Sequence, residues 1–260
     1  MGWMNIIAGF GVGLLVGLTG VGGGSLMTPL LVMVFGIAPV AAVGTDLWFS
    51  AATKVIGGVM MQSKGSVDWP VVRRLWCGSL PVSLVTLAWM QYSGIGQMQP
   101  RLILVALGWV LLVTSLAMIF KTRTHAFAQA LRLNAPQYFM RVQPVLTVLA
   151  GAVLGFLVTL TSVSAGALGT AMLLYLYPLR MKPGRLVGTD IVHAVPLSVL
   201  AGTGHMIMGD VNFPLLGNLL VGSIPGIVLG TFFAGKAPER VLRGAIAVVL
   251  GAVGVKMLWG

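Results

Sequence analysis

Long apolar runs alternate with short polar or glycine-rich breaks along the whole chain and divide it into ten segments. The first five cover residues 3–19, 24–35, 38–62, 69–92 and 101–120. The next five cover 145–161, 165–176, 185–208, 213–235 and 238–259. As helices, the longer ones suffice to cross a hydrocarbon core of about 30 Å at ~1.5 Å per residue. The first two segments of each half are short. Segment 24–35 would cover only roughly 18 Å, so these pairs are predicted to form helical hairpins whose tips, 19–25 and 161–166, stop near the membrane midplane. If the tips reach the far surface instead, the crossing parity is unchanged. Residues 121–143 form the one long polar stretch, and 126–133 within it is predicted to lie as a short helix on the membrane surface. The pattern predicts an all-α polytopic membrane protein of about 8–10 transmembrane segments, counting the two short hairpins. Its units would be a first repeat at 1–120, a basic linker at 121–143 and a second repeat at 144–260.

Composition agrees with this reading. The 260 residues are 57% hydrophobic and 8% charged, where a soluble domain carries about a quarter charged residues. A net charge of +11 would suggest nucleic acid in a soluble protein. Here it has a simpler origin, because loops facing the cytoplasm favour Lys and Arg. With the linker placed inside, its Lys121, Arg123, Arg132 and Arg141 are joined there by Lys64, Arg73, Arg74, Arg180, Lys182, Arg185, Lys236, Arg240 and Arg243. That is 13 of the 16 basic residues, a bias large enough to set the orientation. Arg101 and Lys256 fall outside, and Lys54 sits within a segment, where it either snorkels toward the cytoplasmic end or attracts anions into an inward-facing vestibule. Five segments per half then invert the second half relative to the first, with both termini facing the periplasm. The N-terminus lacks a basic n-region and a small-residue cleavage site, so it reads as a first membrane segment. The single Cys77 permits no internal disulfide and reads as a packing residue.

The two halves also repeat one another in sequence. Leu18-Thr19-Gly20-Val21-Gly22-Gly23-Gly24-Ser25 has its counterpart in Leu160-Thr161-Ser162-Val163-Ser164-Ala165-Gly166-Ala167. Val43-Gly44-Thr45-Asp46 recurs as Val187-Gly188-Thr189-Asp190, and Gly78-Ser79-Leu80-Pro81 as Gly222-Ser223-Ile224-Pro225. From 43–81 to 187–225 the alignment needs no gap and 13 of 39 positions are identical, so the chain reads as a duplicated unit.

Each repeat carries the same candidate chemistry. Irregular backbone at membrane depth requires protein or a water-filled cavity around it. A glycine-rich tip that opens a helix presents free N–H groups and the positive end of the helix dipole, which suits an anion. Thr19, Gly20, Val21, Gly22, Gly23, Gly24 and Ser25 supply one such tip. Thr161, Ser162, Val163, Ser164, Ala165 and Gly166 supply the other, with Ser164-Ala165-Gly166 replacing the glycine triplet. The plainer reading is that small residues let helices pack closely. Asp46 and Asp190 are two of only five acidic residues and lie inside long apolar segments, where an ionisable group points to function. Either they carry protons or they accept bonds from the tip and brace it. Thr45 and Thr189 would bond ligand or backbone. His193, three residues after Asp190 on one helix face, would pair with it, donate to an anion, or be an ordinary hydrogen-bonded core histidine; Phe49 holds its place in the first half. His205 reads as interfacial, and Asp68 and Asp210 as helix-start residues. No P-loop, metal-ligand spacing or nucleophile motif appears, so neither enzyme chemistry, cofactor nor metal is expected.

In its size, its two halves, the Gly22-Gly23-Gly24-Ser25 hairpin and the Val-Gly-Thr-Asp segments, the chain resembles the TauE/SafE family of membrane proteins, the sulfite exporter group. The resemblance implies a secondary transporter of sulfite, organosulfonates or related small anions in a bacterial inner membrane. The expected partners are that anion and the lipid bilayer, with protons a candidate coupling ion, a homodimer a candidate assembly, and no nucleic acid. Two rivals remain. A metal or cation permease would need clustered carboxylates, His or Met facing one pore, and would find helix N-termini of the wrong polarity. An intramembrane aspartyl protease would use Asp46 and Asp190 as a dyad, although Gly44-Thr45-Asp46 lacks the Gly-x-Gly-Asp pattern of that class.

Overall fold

The structure is a computed structural model that describes residues 2–19, 24–63, 65–94, 100–134, 136–163, 166–181, 183–233 and 239–259. Every regular element among them is an α-helix. In chain order these are α1 (Gly2–Thr19), α2 (Gly24–Met33), α3 (Pro39–Ser63), α4 (Trp69–Ser93), α5 (Pro100–Asn134), α6 (Pro136–Thr161), α7 (Ala167–Leu176), α8 (Pro183–Ile207), α9 (Phe213–Phe233) and α10 (Glu239–Trp259). Proline opens α3, α5, α6 and α8, where its missing N–H costs nothing and its fixed φ suits the first turn. Gly65 and Gly209, at equivalent places ahead of α4 and α9, both take positive φ (63° and 83°), a conformation glycine adopts freely.

Among the described residues five helices are long and apolar enough to cross a membrane: α4, α5 over Arg101–Phe120, α6 over Met140–Thr161, α8 over Gly184–Ile207, and α9. Shorter apolar helices cover Gly2–Leu18 and Gly244–Trp259. The short helices α2 and α7 have 10 residues each, or roughly 15 Å. The linker departs from expectation. Instead of a separate surface helix, α5 runs unbroken for 35 residues and α6 starts at Pro136. No helix breaker stands between 121 and 134, so a helix already nucleated in the membrane propagates through the polar stretch. At 26 residues, α6 is therefore not the short segment the hydropathy pattern predicted.

The helices pair in matching ways. α1 lies parallel to α9 with Gly9 and Gly13 against the Leu219 and Ser223 carbonyls. α6 lies parallel to α4 with the equivalent Gly151 and Gly155 against the Leu75 and Ser79 carbonyls. Gly222 meets the Ile6 carbonyl, as Gly78 meets that of Val148. A Cβ at any of these would overlap backbone. In lipid no hydrophobic force pulls helices together, so this close van der Waals approach is what holds them. The other pairs are equivalents packed on each other. α3 and α8 run antiparallel: a Cβ at Gly58 would meet Ile191, Val192 and Val195, and one at Gly202 would meet Leu47 and Trp48. α5 and α10 also run antiparallel, with the Ser115 hydroxyl donating to the Ala247 carbonyl (2.7 Å) and Gly108 facing Gly254 and Leu258. These four helices enclose the central core, which includes Val43, Leu47, Leu107, Leu111, Leu197 and Leu250. Trp109, Leu116, Leu149, Val221, Val228 and Phe232 point outward to the lipid. Cys77 is exposed as well, on the outer face of α4 rather than packed inside.

Candidate functional site

The repeated Val-Gly-Thr-Asp segment works residue by residue. At Gly44 a Cβ would overlap the Asp210 carbonyl oxygen. Thr45 Oγ1 accepts the Asn212 N–H (3.1 Å), and its equivalent Thr189 Oγ1 accepts the Asp68 N–H (3.0 Å). Each threonine thus ties its own half to the start of a long helix in the other. Thr189 also donates to the Arg185 carbonyl (2.7 Å). In this structure both hydroxyls are engaged with backbone.

The aspartates turn inward. Asp46 is fully buried and accepts a short hydrogen bond from the Thr28 hydroxyl of α2. Ser162, at a positive φ of 58° just past α6, stands beside the same carboxyl. Asp190 lies against the first turn of α7: its Oδ1 occupies the space a Cβ on Gly169 would need. α7 starts after Gly166 (φ 147°) with no side-chain cap, so a carboxylate sits at the positive end of an otherwise uncapped helix. In each half the aspartate of the long helix therefore meets the short helix of the same half.

Thr161 closes α6 by donating to the Leu157 carbonyl (2.7 Å) and accepting the Val163 N–H (3.4 Å), and Val163 joins the central core. Gly20, Val21, Gly22, Gly23, Ser164 and Ala165 lie outside the described residues, as do the side chains of Thr19 and Ser25. Gly24 opens α2.

For His193 the structure shows the hydrogen-bonded core histidine among the alternatives, and two other expectations are corrected. His193 does not pair with Asp190; its Nε2 is 3.0 Å from Ser79 Oγ of α4, and the Trp76 indole donates to its carbonyl (3.1 Å). Three residues along a helix share a face, but the ring is drawn to the neighbour that offers a hydroxyl. Lys54 does not snorkel. It is only 3% exposed and lies within electrostatic reach of Asp46, Asp190 and His193. His205 is not interfacial: it is buried, with Nε2 2.9 Å from the Thr159 carbonyl and Nδ1 3.3 Å from Asp210 Oδ2.

The two ends of the bundle differ. Asp68 stands at the start of α4 but does not cap it with its side chain. Its buried carboxylate meets Arg180 through Nη2–Oδ1 and Nε–Oδ2 contacts of 2.9 Å, with Arg185 at 3.7 Å. Beside it, Tyr177 OH bonds Thr147 (2.8 Å) and accepts from Arg74 (3.4 Å). At the equivalent places on the opposite end stand Asn212, Phe35, Asn5 and Asn218, and there they line a cavity of about 420 Å³. Sequence reasoning missed the Asp68–Arg180 link. Its one trace was an acidic residue on the face that gathers the arginines.

A family model described as Sulfite exporter TauE/SafE matches residues 5–257. The chain is 36% identical over 255 residues to the Bacillus subtilis (strain 168) protein named probable membrane transporter protein YjnA, covering 97% of this chain and 98% of that one. It is 24% identical over 254 residues to probable membrane transporter protein YdhB of the same organism, covering 98% and 99%. A 66-residue stretch is 38% identical to probable membrane transporter protein YunE, also of that organism, covering 25% and 24%. No solved structure matches. With a multi-pass helical bundle, buried intramembrane carboxylates and a family match over nearly its whole length, the chain belongs to the sulfite exporter TauE/SafE family of membrane transporters.

Proposed function

We propose that this transporter moves a small oxyanion, sulfite or an organosulfonate, by alternating access between two inverted repeats, 1–120 and 144–260, joined by the basic linker 121–143. The observation that carries the reading is the antiparallel packing of the equivalent helices α3 and α8. Two copies of one unit crossing in opposite directions is what an inverted repeat requires, and rocking one against the other would expose a central site to either side in turn. The difference between the ends supports this, since one is tied by Asp68–Arg180 and the other opens into a cavity. The basic residues put the tied end in the cytoplasm and both termini in the periplasm, with the protein in the inner membrane of a bacterium. Anion rather than cation follows from the α7 N-terminus, whose polarity suits negative charge, and from the family's description. On this reading the two tips, Thr19 to Ser25 and Thr161 to Gly166, contribute donors to the anion site.

Counterflow in proteoliposomes tests the reading. Labelled sulfite should accumulate when the vesicles are preloaded with unlabelled sulfite or methanesulfonate. Absence of anion exchange together with uptake of manganese or zinc would favour a cation permease instead.

Within this reading Asp46 and Asp190 brace the short helices. Asp190→Asn should slow exchange about tenfold, the equivalent of ~1.4 kcal/mol, while leaving the shape of its pH profile intact. A profile flattened by the substitution would make Asp190 the proton carrier.

A further inference from the structure

We infer that Lys54 is the cation that receives the transported anion, at the α3–α8 crossing, and that the site takes a monoanion. This rests on the anion-transport reading above. Asp46, Ser50, Lys54 and Gly58 follow one another at four-residue intervals and so share a face of α3. On that face a Cβ at Gly58 would meet Ile191, Val192 and Val195 of α8, so Lys54, one turn away, looks toward α8. The antiparallel register puts Asp190 near the level of Gly58 and Asp46 near that of Gly202, with Lys54 between them. Ser198 is the equivalent of Lys54 in the second repeat, and Ser50 and Ser198 fall at one level of the crossing. Their hydroxyls are buried and find no hydrogen-bond partner among the described residues, and neither does His193 Nδ1.

A buried hydroxyl without a partner costs free energy that an acceptor would recover. Here two such hydroxyls flank a buried ammonium where the equivalent long helices α3 and α8 of the two repeats cross. Ser198 opposite Lys54 also removes a like charge from the equivalent position. The charge balance sets the class of anion. Lys54 is already engaged within the protein and feels two carboxylates, so an entering anion competes with them for one cation. Every negative charge the anion brings adds to that competition, so a single charge, as on a sulfonate or hydrogensulfite, costs least. A second would stand uncompensated in low dielectric.

Thermal shift and counterflow of the purified full-length protein test this, with methanesulfonate as monoanion and sulfate as dianion. Wild type should be stabilised by methanesulfonate at least tenfold more effectively than by sulfate. Lys54→Gln should lose that response more than tenfold, and Lys54→Arg should keep most of it. Binding of methanesulfonate by Lys54→Gln at wild-type strength would overturn the assignment while anion transport stood. No response of wild type to either anion, with no counterflow, would sink the transport reading itself. Equal response to both anions would overturn the monoanion class. If Lys54→Gln does not run as a single species on size exclusion, the Ser50→Ala/Ser198→Ala variant decides: weaker methanesulfonate binding supports the site, and unchanged binding overturns it. A Lys54 needed only to neutralise its neighbours becomes dispensable once one is removed. Recovery of binding in Lys54→Gln/Asp190→Asn would therefore overturn the proposal, and continued loss would uphold it.

Discussion

Gly222→Val should leave no folded protein in the membrane, while Gly217→Val in the same helix should leave the yield near normal. Both glycines lie in α9 and both substitutions carry the same intrinsic helix cost, well under 1 kcal/mol relative to alanine. What differs is the neighbour. A Cβ at Gly222 would land on the Ile6 carbonyl oxygen and crowd the Phe10 nitrogen, whereas at Gly217 nothing lies within 4 Å. The obstacle at Gly222 is backbone on both sides and cannot turn away as a side chain would. Even Gly222→Ala should cost about 1–3 kcal/mol as overpacking, and valine more, because α1 and α9 would have to part along their length. The equivalent Gly78→Val should behave alike against α6. Fluorescence-detected size exclusion of tagged variants reads the result. A monodisperse Gly222→Val peak of normal height would mean that α1 and α9 do not pack as described.

That contrast was not legible in the sequence, although much of the fold was. Apolar runs bounded by Pro and Gly mark helices whose ends are set by local chemistry, and most expected segments match observed helices to within a few residues. Lys54 shows where the reading ran out. One lysine in an apolar segment is compatible with snorkelling along a lipid-facing side or with burial between helices, and only the rotation of α3 against α8 distinguishes them. His193 is similar: spacing along its own helix pointed to Asp190, but its partner Ser79 comes from α4, distant in the chain. The linker was misjudged for another reason. Polarity signals exit from the membrane, not the end of a helix, so α5 continues where apolar character stops. The repeat itself carried the most transferable information. Thr45 and Thr189 stand out because they recur, and each holds the other half's helix start.

Arg180→Gln should destabilise the protein far more than Asp68→Asn, although both remove the same ion pair. The asymmetry comes from what each leaves behind. Asp68 is fully buried, while Arg180 and Arg185 are 43% and 45% exposed. Without Arg180 a buried carboxylate is left with Arg185 at 3.7 Å, a loss of about 3 kcal/mol for a broken buried pair. Without the Asp68 charge, two half-exposed guanidinium groups turn to water, and the cost should be under ~1 kcal/mol, as for an exposed pair. Thermal unfolding in detergent tests the order, and a reversed order would contradict the burial of Asp68. The functional consequence separates a latch from a mere brace. The pair joins the start of α4 in the first half to the connection between α7 and α8 in the second, so breaking it should favour the conformation open at this end. In a Cys77→Ser background, Leu179→Cys should react with maleimide faster, several-fold, once Arg180→Gln is added. Counterflow should lose rate in parallel, because a carrier biased to one side spends less time completing its cycle. Unchanged labelling alongside the expected loss of stability would make Asp68–Arg180 a structural tie and place the gate elsewhere.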